Sequence, residues 1–228
     1  MCIRSFNVSL EDQQVIVEGN ARPSQIKRAL EDSGRSVILR GAGSSNGENL
    51  GAAVCIFEYT NNDNNSPHKT QSQGLARIVQ VQESLCFIDV TVSGLTPGDY
   101  KLGIHTNGDM TDIPVSCGKL FKRAFAGTLS LPKEDDSAGE KPLGDLGTFT
   151  VGKSGWGDLV VESSKVKVWD IIGRSMLISS LSTSAPEFHI GGIIARSAGL
   201  FENDKQVCAC SGATMWAESR TARKEGRS

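Results

Sequence analysis

The chain has 228 residues, with 24 lysines and arginines against 26 aspartates and glutamates. The resulting net charge of −2 gives no broad electrostatic basis for binding nucleic acid, and no stretch approaches the roughly 18 consecutive apolar residues of a membrane-spanning helix. We therefore expect neither nucleic acid nor a membrane as a partner. The six cysteines, behind an N-terminus unlike a signal peptide, favour a cytosolic protein whose thiols serve metal or redox chemistry rather than a disulfide scaffold.

Residues 1–43 are predicted to form a small α+β unit. IRSFNVS and QVIVEG alternate like the two strands of a hairpin, with LEDQ as the turn between them. RPSQIKRALEDSG is predicted to be a helix that Ser24 caps and Gly34 ends, and SVILR is predicted to be a further strand. The apolar face of this helix is formed by Ile26, Ala29 and Leu30. The core of so short a unit would be thin.

Residues 44–52, rich in glycine, serine and asparagine, are predicted to be a linker, and residues 53–200 have the pattern of short strands. The predicted strands are AAVCIFEYT, GLARIVQVQ, SLCFIDVTVSGL, GDYKLGIH, GTFTV, GDLVVES, KVKVW, RSMLISS and GGIIARS. In SLCFIDVTVSGL an apolar face that includes Ile88 alternates with a polar face that includes Asp89 and Thr91. Short strands with glycine-rich turns and no convincing helix indicate a mainly β domain, either an antiparallel sandwich or a barrel.

Several of these stretches resemble a known family. GLTPGDYKLGIHTNGDM, GDLGTFTV, WDIIGRSMLIS and GGIIARSAG are similar, in order and spacing, to copper–zinc superoxide dismutase. The continuation IIARSAGLFENDKQVCAC with the following TMW, and the segment FNVSLEDQQVIVEGNARPSQIKRALEDSGRSVILRGAG, are similar to the copper chaperones for superoxide dismutase, of fungal type.

This resemblance implies a domain organisation. We expect a Greek-key β-barrel over residues 53–200 and a partial ferredoxin-like, heavy-metal-associated segment over residues 1–43. The strand, MxCxxC loop and helix with which that domain normally begins are absent from the sequence. Residues 201–228 are expected to form a flexible tail that carries the CxC pair.

The resemblance also locates the positions at which a dismutase would hold copper and zinc. The three histidines are His68, His105 and His189. Gly103 stands at the position paired with His105, and Ser179 stands where an imidazole is expected in the strand after GRS. Pro142 replaces a zinc histidine, and the retained Asp145 alone cannot hold zinc. We therefore expect no zinc in the barrel and no dismutase activity, with His105 packed or solvated rather than bound to metal.

Three barrel cysteines and one arginine are expected to have structural roles. Cys55 and Cys86 lie on apolar strand faces and are predicted to be buried. Cys117 falls where the resemblance implies the intrasubunit disulfide of the enzyme, but the partner position is Gly191, so Cys117 is expected to be a free thiol in a loop. For Arg174 we favour a structural role, in which the guanidinium donates a fork of hydrogen bonds to backbone carbonyls.

A barrel without an active site is expected to have a function other than catalysis. In the enzyme, subunits pair through the loop around HTNGDM and the final strand, and the resemblance implies that NGDM and GGIIARSAG keep this surface. The barrel is therefore expected to dock on copper–zinc superoxide dismutase as a mock subunit, forming a heterodimer. An ordinary homodimer is the alternative, and the two are not exclusive.

The tail places Cys208 and Cys210 on either side of Ala209. In an extended segment such residues face the same side, about 6.6 Å apart. Two thiolates there suit Cu(I) and leave its other side open, and the same pair can exchange a disulfide with a partner through a mixed disulfide. Alone, CxC is a weak motif, with two unrelated surface cysteines as the alternative. Together with the barrel and RSAGLFENDKQVCACSGATMW, it predicts a Cu(I) carrier and disulfide donor.

The leading hypothesis is thus a metallochaperone and not an enzyme. It would dock on copper–zinc superoxide dismutase, deliver Cu(I) and promote disulfide formation in its target. One alternative is a non-catalytic docking module, an N-truncated form that loads copper poorly. The other is a superoxide dismutase, against which the histidine count argues. We expect a cytosolic protein, and leave open a fraction in the mitochondrial intermembrane space.

Overall fold

The computed structural model describes residues 3–19, 21–35, 37, 43, 50–60, 73–122, 141–182 and 188–198. The predictions for His68, Cys208 and Cys210 concern residues outside these ranges, as do those for the strand SVILR, apart from residue 37, and for most of the linker.

The N-terminal unit consists of a hairpin and one helix. Strands β1 (Ile3–Ser9) and β2 (Gln14–Gly19) pair in antiparallel fashion, and α1 (Pro23–Glu31) follows. The predicted hairpin and helix are therefore present. No residue of β1, β2 or α1 is fully buried, which agrees with the expectation of a thin core.

The prediction that Ser24 caps α1 is wrong. The N-cap is Arg22, which is extended and makes no capping hydrogen bond through its side chain, and Pro23 begins the helix. The fixed φ of proline suits the first helical position, where no amide donor is needed. The hydroxyl of Ser24 instead donates to the carboxylate of Glu162 in the barrel. Shortly after the helix, Gly34 takes a left-handed φ of +81°, as predicted for the end of a helix.

The remaining described residues form a sheet and one short helix. The strands are β3 (Ala52–Phe57), β4 (Tyr59–Thr60), β5 (Gln73–Gln82), β6 (Leu85–Ser93), β7 (Gly98–Ile104), β8 (Asp145–Val151), β9 (Gly157–Ser163), β10 (Ser175–Ser180) and β11 (His189–Ser197). The helix α2 (Val168–Ile171) precedes β10.

The sheet curls into a nearly closed antiparallel barrel. Its strand order is β8–β7–β10–β11–β3–β5–β6–β9, and β4 pairs with β11. At the seam, Gly157 of β9 lies so close to β8 that a Cβ there would be 2.9 Å from a ring carbon of Phe149. The prediction of a mainly β barrel is confirmed.

Apolar side chains from all sides fill the barrel. The largest fully buried residues include Phe57, Ile88, Tyr100, Leu102 and Met176. The rings of Tyr100 and Phe149 stack with centroids 6.0 Å apart, and the Tyr100 hydroxyl donates to the carbonyl of Thr96. The only polar atom of this large side chain is thus satisfied.

One local prediction for the barrel is wrong. KVKVW was expected to be a strand, but Val168 begins α2, and its amide bonds the side chain of Gln80 instead of a neighbouring strand. Val166 and Val168 are both buried. The alternation that predicted a strand therefore reflects a single extended residue between them, Lys167. On the polar face of β6, the side chains of Asp89 and Thr91 are buried. No helix in the described part of the chain is long and apolar enough to cross a membrane.

Candidate functional site

His105 follows the end of β7 and is held by the neighbouring loop. Its Nδ1 lies 2.7 Å from the carbonyl oxygen of Gly118, and its backbone pairs with Leu120. Burial lowers the pKa of His105, although the bond to Gly118 opposes that shift. The neutral ring is therefore favoured, packed against the loop as expected.

Leu120 fills the space in which a second imidazole would stand. A Cβ added at Gly103 would lie 2.6 Å from Leu120 Cδ2, and 3.5 Å from Nε2 of His105. A histidine at position 103 would therefore require Leu120 to move. The paired imidazoles of a dismutase copper site cannot form around this packing.

The second barrel histidine lies elsewhere on the sheet. His189 begins β11 opposite Ser179 of β10, and its Nδ1 lies 2.7 Å from the Ser179 hydroxyl oxygen. Ser179 is also opposite Lys101 of β7, four residues before His105, which corresponds to about 13 Å along a strand. The two histidines therefore do not share a site. The Ser179–His189 pair was not predicted from the sequence, because it depends on the register between β10 and β11.

Asp145, the retained acidic residue, forms ion pairs with two lysines. Asp145 Oδ2 lies 3.2 Å from Lys101 Nζ, and Oδ1 lies 3.5 Å from Lys141 Nζ. The Gly147 amide also donates to this carboxylate. Burial raises the pKa of Asp145, but the hydrogen bond and positive charge of Lys101 outweigh it, so the pKa lies below its usual value.

These residues do not fit a structural or catalytic zinc ion, which needs three or four nitrogen, sulfur or oxygen ligands. Asp145 is already paired with two ammonium groups, and Pro142 carries no side-chain donor. Across the described ranges, no three His, Cys, Asp or Glu side chains come together in a way that could hold a metal ion.

Arg174 anchors the loop that follows β7. Its Nε donates to the carbonyl of Asp170 over 2.8 Å, and one Nη donates to the carbonyl of Thr106 over 2.7 Å. The guanidinium also lies 4.1 Å from the ring centre of Phe121, a cation–π distance. The predicted structural role of Arg174 is confirmed.

The same loop is fixed against the start of β10. The amide and hydroxyl of Ser175 both donate to the carbonyl of Asn107. A Cβ at Gly108 would lie 2.1 Å from the carbonyl oxygen of Gly173, so only glycine permits this approach. The HTNGDM loop is therefore held in one position beside the barrel.

An apolar patch, which we call the β3–β11 patch, lies near this loop. Ile56 of β3 is 45% exposed and Ile193 of β11 is 42% exposed, while their neighbours Cys55 and Ile194 pair with each other and point into the core. Further along β11, a Cβ at Gly191 would lie 3.0 Å from Met110 of the loop. Loop and patch thus form one continuous surface that could receive another protein.

Comparison with known proteins agrees with this architecture. Residues 72–185 match the copper/zinc superoxide dismutase family. The copper chaperone for superoxide dismutase of Rattus norvegicus is 36% identical over 95% of this chain and 79% of the relative, and that of Sus scrofa is 38% identical over 99% and 82%. The superoxide dismutase 1 copper chaperone of Saccharomyces cerevisiae is 34% identical over 96% and 84%.

The chain belongs to the family of copper chaperones for superoxide dismutase. Mammalian and yeast members match it at similar identity, so the predicted fungal type stays a prediction. The predicted absence of an MxCxxC segment from the natural protein likewise stays a prediction.

In this family member, Cys117 is a free thiol, as predicted, but it is buried. Its Sγ donates to the carbonyl of Asp109 over 3.2 Å, and it packs with Ile113 and Leu177. A Cβ at Gly191 would lie 2.2 Å from Leu177 Cδ2. Leu177 therefore fills the place of any side chain at position 191, and this apolar cluster stands where the resemblance implied a disulfide.

The other two described cysteines are unsuited to act as nucleophiles. Cys55 and Cys86 are buried, as predicted. Burial raises the pKa of both thiols, that of Cys86 to about 12, with Lys167 opposing the rise. Since the thiolate is the reactive form, neither is a candidate nucleophile. Cys208 and Cys210 lie outside the described residues, and their role stays a prediction.

Proposed function

We propose that this chain is a metallochaperone that docks on copper–zinc superoxide dismutase, delivers Cu(I) and promotes formation of the target's disulfide. One observation carries the proposal: the chain forms a barrel with glycine, serine, proline and a lysine-paired aspartate at the positions where the resemblance implies the metal ligands of the enzyme. Such a barrel can bind like a dismutase subunit without acting as one. The names of the relatives, copper chaperones for superoxide dismutase, support the same assignment.

The β3–β11 patch and the HTNGDM loop are the proposed docking surface. Arg174 and Ser175 hold the loop carbonyls of Thr106 and Asn107 in place, so little ordering is needed on binding, which favours affinity. Ile56 and Ile193 supply exposed apolar side chains on adjacent strands. An isologous surface of this kind also permits a homodimer, which would compete with target binding.

The proposed chemistry belongs to Cys208 and Cys210. As two thiolates they carry Cu(I) as cargo, because soft thiolates select this ion. Ten positions separate Cys208 from Ala198, and a fully extended chain of that length reaches at most about 35 Å. The pair could therefore act on a partner seated at the docking surface, at a high effective concentration.

In disulfide transfer the pair begins oxidised, having lost two electrons to an oxidant such as dioxygen. A target thiolate attacks one sulfur, forming a mixed disulfide and releasing the other cysteine as a thiolate. The target's second thiolate then attacks its own sulfur in the mixed disulfide. The target gains a disulfide, and Cys208 and Cys210 end as thiolates with the two electrons.

Activation of metal-free, disulfide-reduced superoxide dismutase tests the proposal. With dioxygen present, so that the pair can be oxidised once Cu(I) has left it, Cu(I)-loaded parent chain should restore dismutase activity. Cys208→Ser and Cys210→Ser should each lose most of this effect, because one thiolate neither chelates the ion nor completes the exchange. Cys86→Ala is the matched control, since it removes a thiol that is buried in the barrel, and it should still activate. Full activation by both serine variants would overturn the assignment.

The alternative function is a docking module that loads copper poorly. It predicts target binding without activation, even at saturating Cu(I). The proposed setting is the cytosol, where thiols stay reduced.

A further inference from the structure

The helix α1 lies against β9 on the outside of the barrel. The Ser24 hydroxyl donates to Glu162 Oε1 over 2.7 Å, and Arg22 Nε lies 3.4 Å from Glu162 Oε2. One turn further along, the Lys27 ammonium forms an ion pair with Asp158. Three consecutive contacts therefore join the N-terminal unit to one strand, more than 120 residues away in sequence.

Strand register shows which face of the barrel these contacts occupy. Asp158 is opposite Thr91 of β6, and Val160 is opposite Asp89. Since cross-strand partners share a face and neighbours along a strand alternate, Asp158, Thr91 and Asp89 lie on the outer face, while Val90 points into the core. Asp89 pairs with Arg77 of β5 on the same face.

Lys27 also reaches the buried acidic residue of this face. Burial raises the pKa of Asp89, and the positive charges of Arg77 and Lys27 oppose that rise. The Lys27 side chain is only 18% exposed and that of Glu162 only 9%. The helix thus lies over an outer face that carries charged side chains together with the buried Phe87.

The named contacts of the attachment are polar, although Phe87, which lies opposite Glu162 on the same outer face, is buried as well. No residue of α1 is fully buried; Ile26 and Leu30 are half-buried, and Ala29 is exposed. The named contacts between α1 and β9 are hydrogen bonds and ion pairs, and each ion pair of this partly exposed kind contributes little to stability. The barrel, by contrast, is stabilised by a large apolar core. The named contacts of α1 are thus polar, whereas the barrel is stabilised by apolar packing.

We propose that α1 and β9 form a reversible polar latch, which holds the N-terminal unit on the barrel and opens without unfolding it. Lys27 with Asp158, and Arg22 and Ser24 with Glu162, are the contacts that close the latch. Screening or removing these charges opens it. The latch does not depend on what the protein binds or delivers.

A consequence follows if the β3–β11 patch is the docking surface, as proposed above. The outer faces of β9, β6, β5, β3 and β11 form one continuous side of the sheet. Only β5 separates β6 from β3, a span of about 10 Å between β6 and β3. A closed latch would thus keep the N-terminal unit beside a docked partner, and an open latch would free it.

Hydrogen exchange on the full chain tests the latch. A nine-residue helix is marginal without tertiary contacts, so amide protection in α1 reports whether the latch is closed. Raising NaCl from about 0.05 M to about 1 M should speed exchange in α1 by roughly threefold or more, because ion pairs are screened. Exchange in β5 and β6 should stay unchanged. An interface held by apolar contacts would show no such acceleration, since ionic screening weakens charge pairs and not apolar burial.

Charge reversal supplies the matched variants. Lys27→Glu places a carboxylate against Asp158 and should remove α1 protection at all salt concentrations. Arg28→Glu makes the same change on the exposed side of the same helix and should leave protection as in the parent. Lys27→Glu combined with Asp158→Lys should restore it, even though the pair between Lys27 and Glu31 is not rebuilt.

Three results would overturn the latch. These are equal protection in the Lys27→Glu and Arg28→Glu variants, failure of the double variant to restore protection, and loss of β6 protection together with that of α1. The last would mean that helix and barrel open as a single unit.

Discussion

The ammonium of Lys101 lies 3.2 Å from the carboxylate of Asp145, the acidic residue for which the resemblance implies a zinc ligand in the enzyme. A positive charge supplied by the chain itself therefore neutralises the acidic residue that the family fold retains. With Pro142 in place of an imidazole, the surroundings of Asp145 favour a closed ion pair over a metal site.

We accordingly expect the barrel to bind no stoichiometric zinc. Metal analysis after purification in the presence of zinc checks this expectation. The variant carrying Cys208→Ser and Cys210→Ser is the control, because it removes zinc bound by the tail thiols. One zinc ion per chain that persists in this variant would show that the barrel has ligands we have not recognised.

The same ion pair gives a pH dependence of stability. The pKa of Asp145 is lowered in the folded state, so its contribution is fully present above the unfolded pKa and is lost as the pH falls through the folded pKa. Lys101→Met should destabilise the barrel by up to about 1 kcal/mol near neutral pH, and this difference should vanish in acid. Denaturant unfolding of both proteins across pH measures it.

Lys153→Met, at an exposed lysine, is the matched control and should change stability little at any pH. A penalty for Lys101→Met that persists unchanged at low pH would mean that packing, rather than the charge pair, is responsible.

Amide exchange should be faster in the N-terminal hairpin than in the barrel. No residue of β1 or β2 is fully buried, whereas β6 is buried at all but its end residues. Phe6 is 71% exposed on this hairpin, so few apolar contacts oppose local opening. Equal protection of residues 3–19 and 85–104 would contradict this account.

Patterns that depend on neighbours along the chain could be predicted from the sequence. The hairpin of β1 and β2 and most barrel strands followed from alternation, and burial of Cys55 and Cys86 followed from their apolar faces. The resemblance supplied the barrel topology and the vacant ligand positions, since Gly103 and Ser179 can be read directly.

The side chains that fill the space beside Gly103 and Gly191 could not be predicted. Leu120 lies against Gly103, and Leu177 against Gly191, because loops and strands distant in sequence come together there. The same reason explains the misplaced role of Ser24: its partner, Glu162, is 138 residues away. Local propensity suggested a cap, and a tertiary contact took the hydroxyl instead.

The β3–β11 patch gives a further test of the docking surface. Ile193→Lys should weaken binding to superoxide dismutase by roughly tenfold or more, since a charge would replace an apolar side chain of the proposed docking surface. Leu181→Lys is the matched control, because Leu181 is similarly exposed, at 46%, but lies outside the patch. Binding measured by calorimetry should be weakened for Ile193→Lys alone, and equal affinities of the two variants would exclude the patch.

The central claim separates docking by the barrel from chemistry by the cysteine pair. Its most direct test is deletion of residues 203–228, with target binding and target activation measured on the same preparation. We predict that the shortened chain binds metal-free superoxide dismutase with nearly unchanged affinity and restores none of its activity. Loss of binding, or activation equal to that of the full chain, would contradict the account.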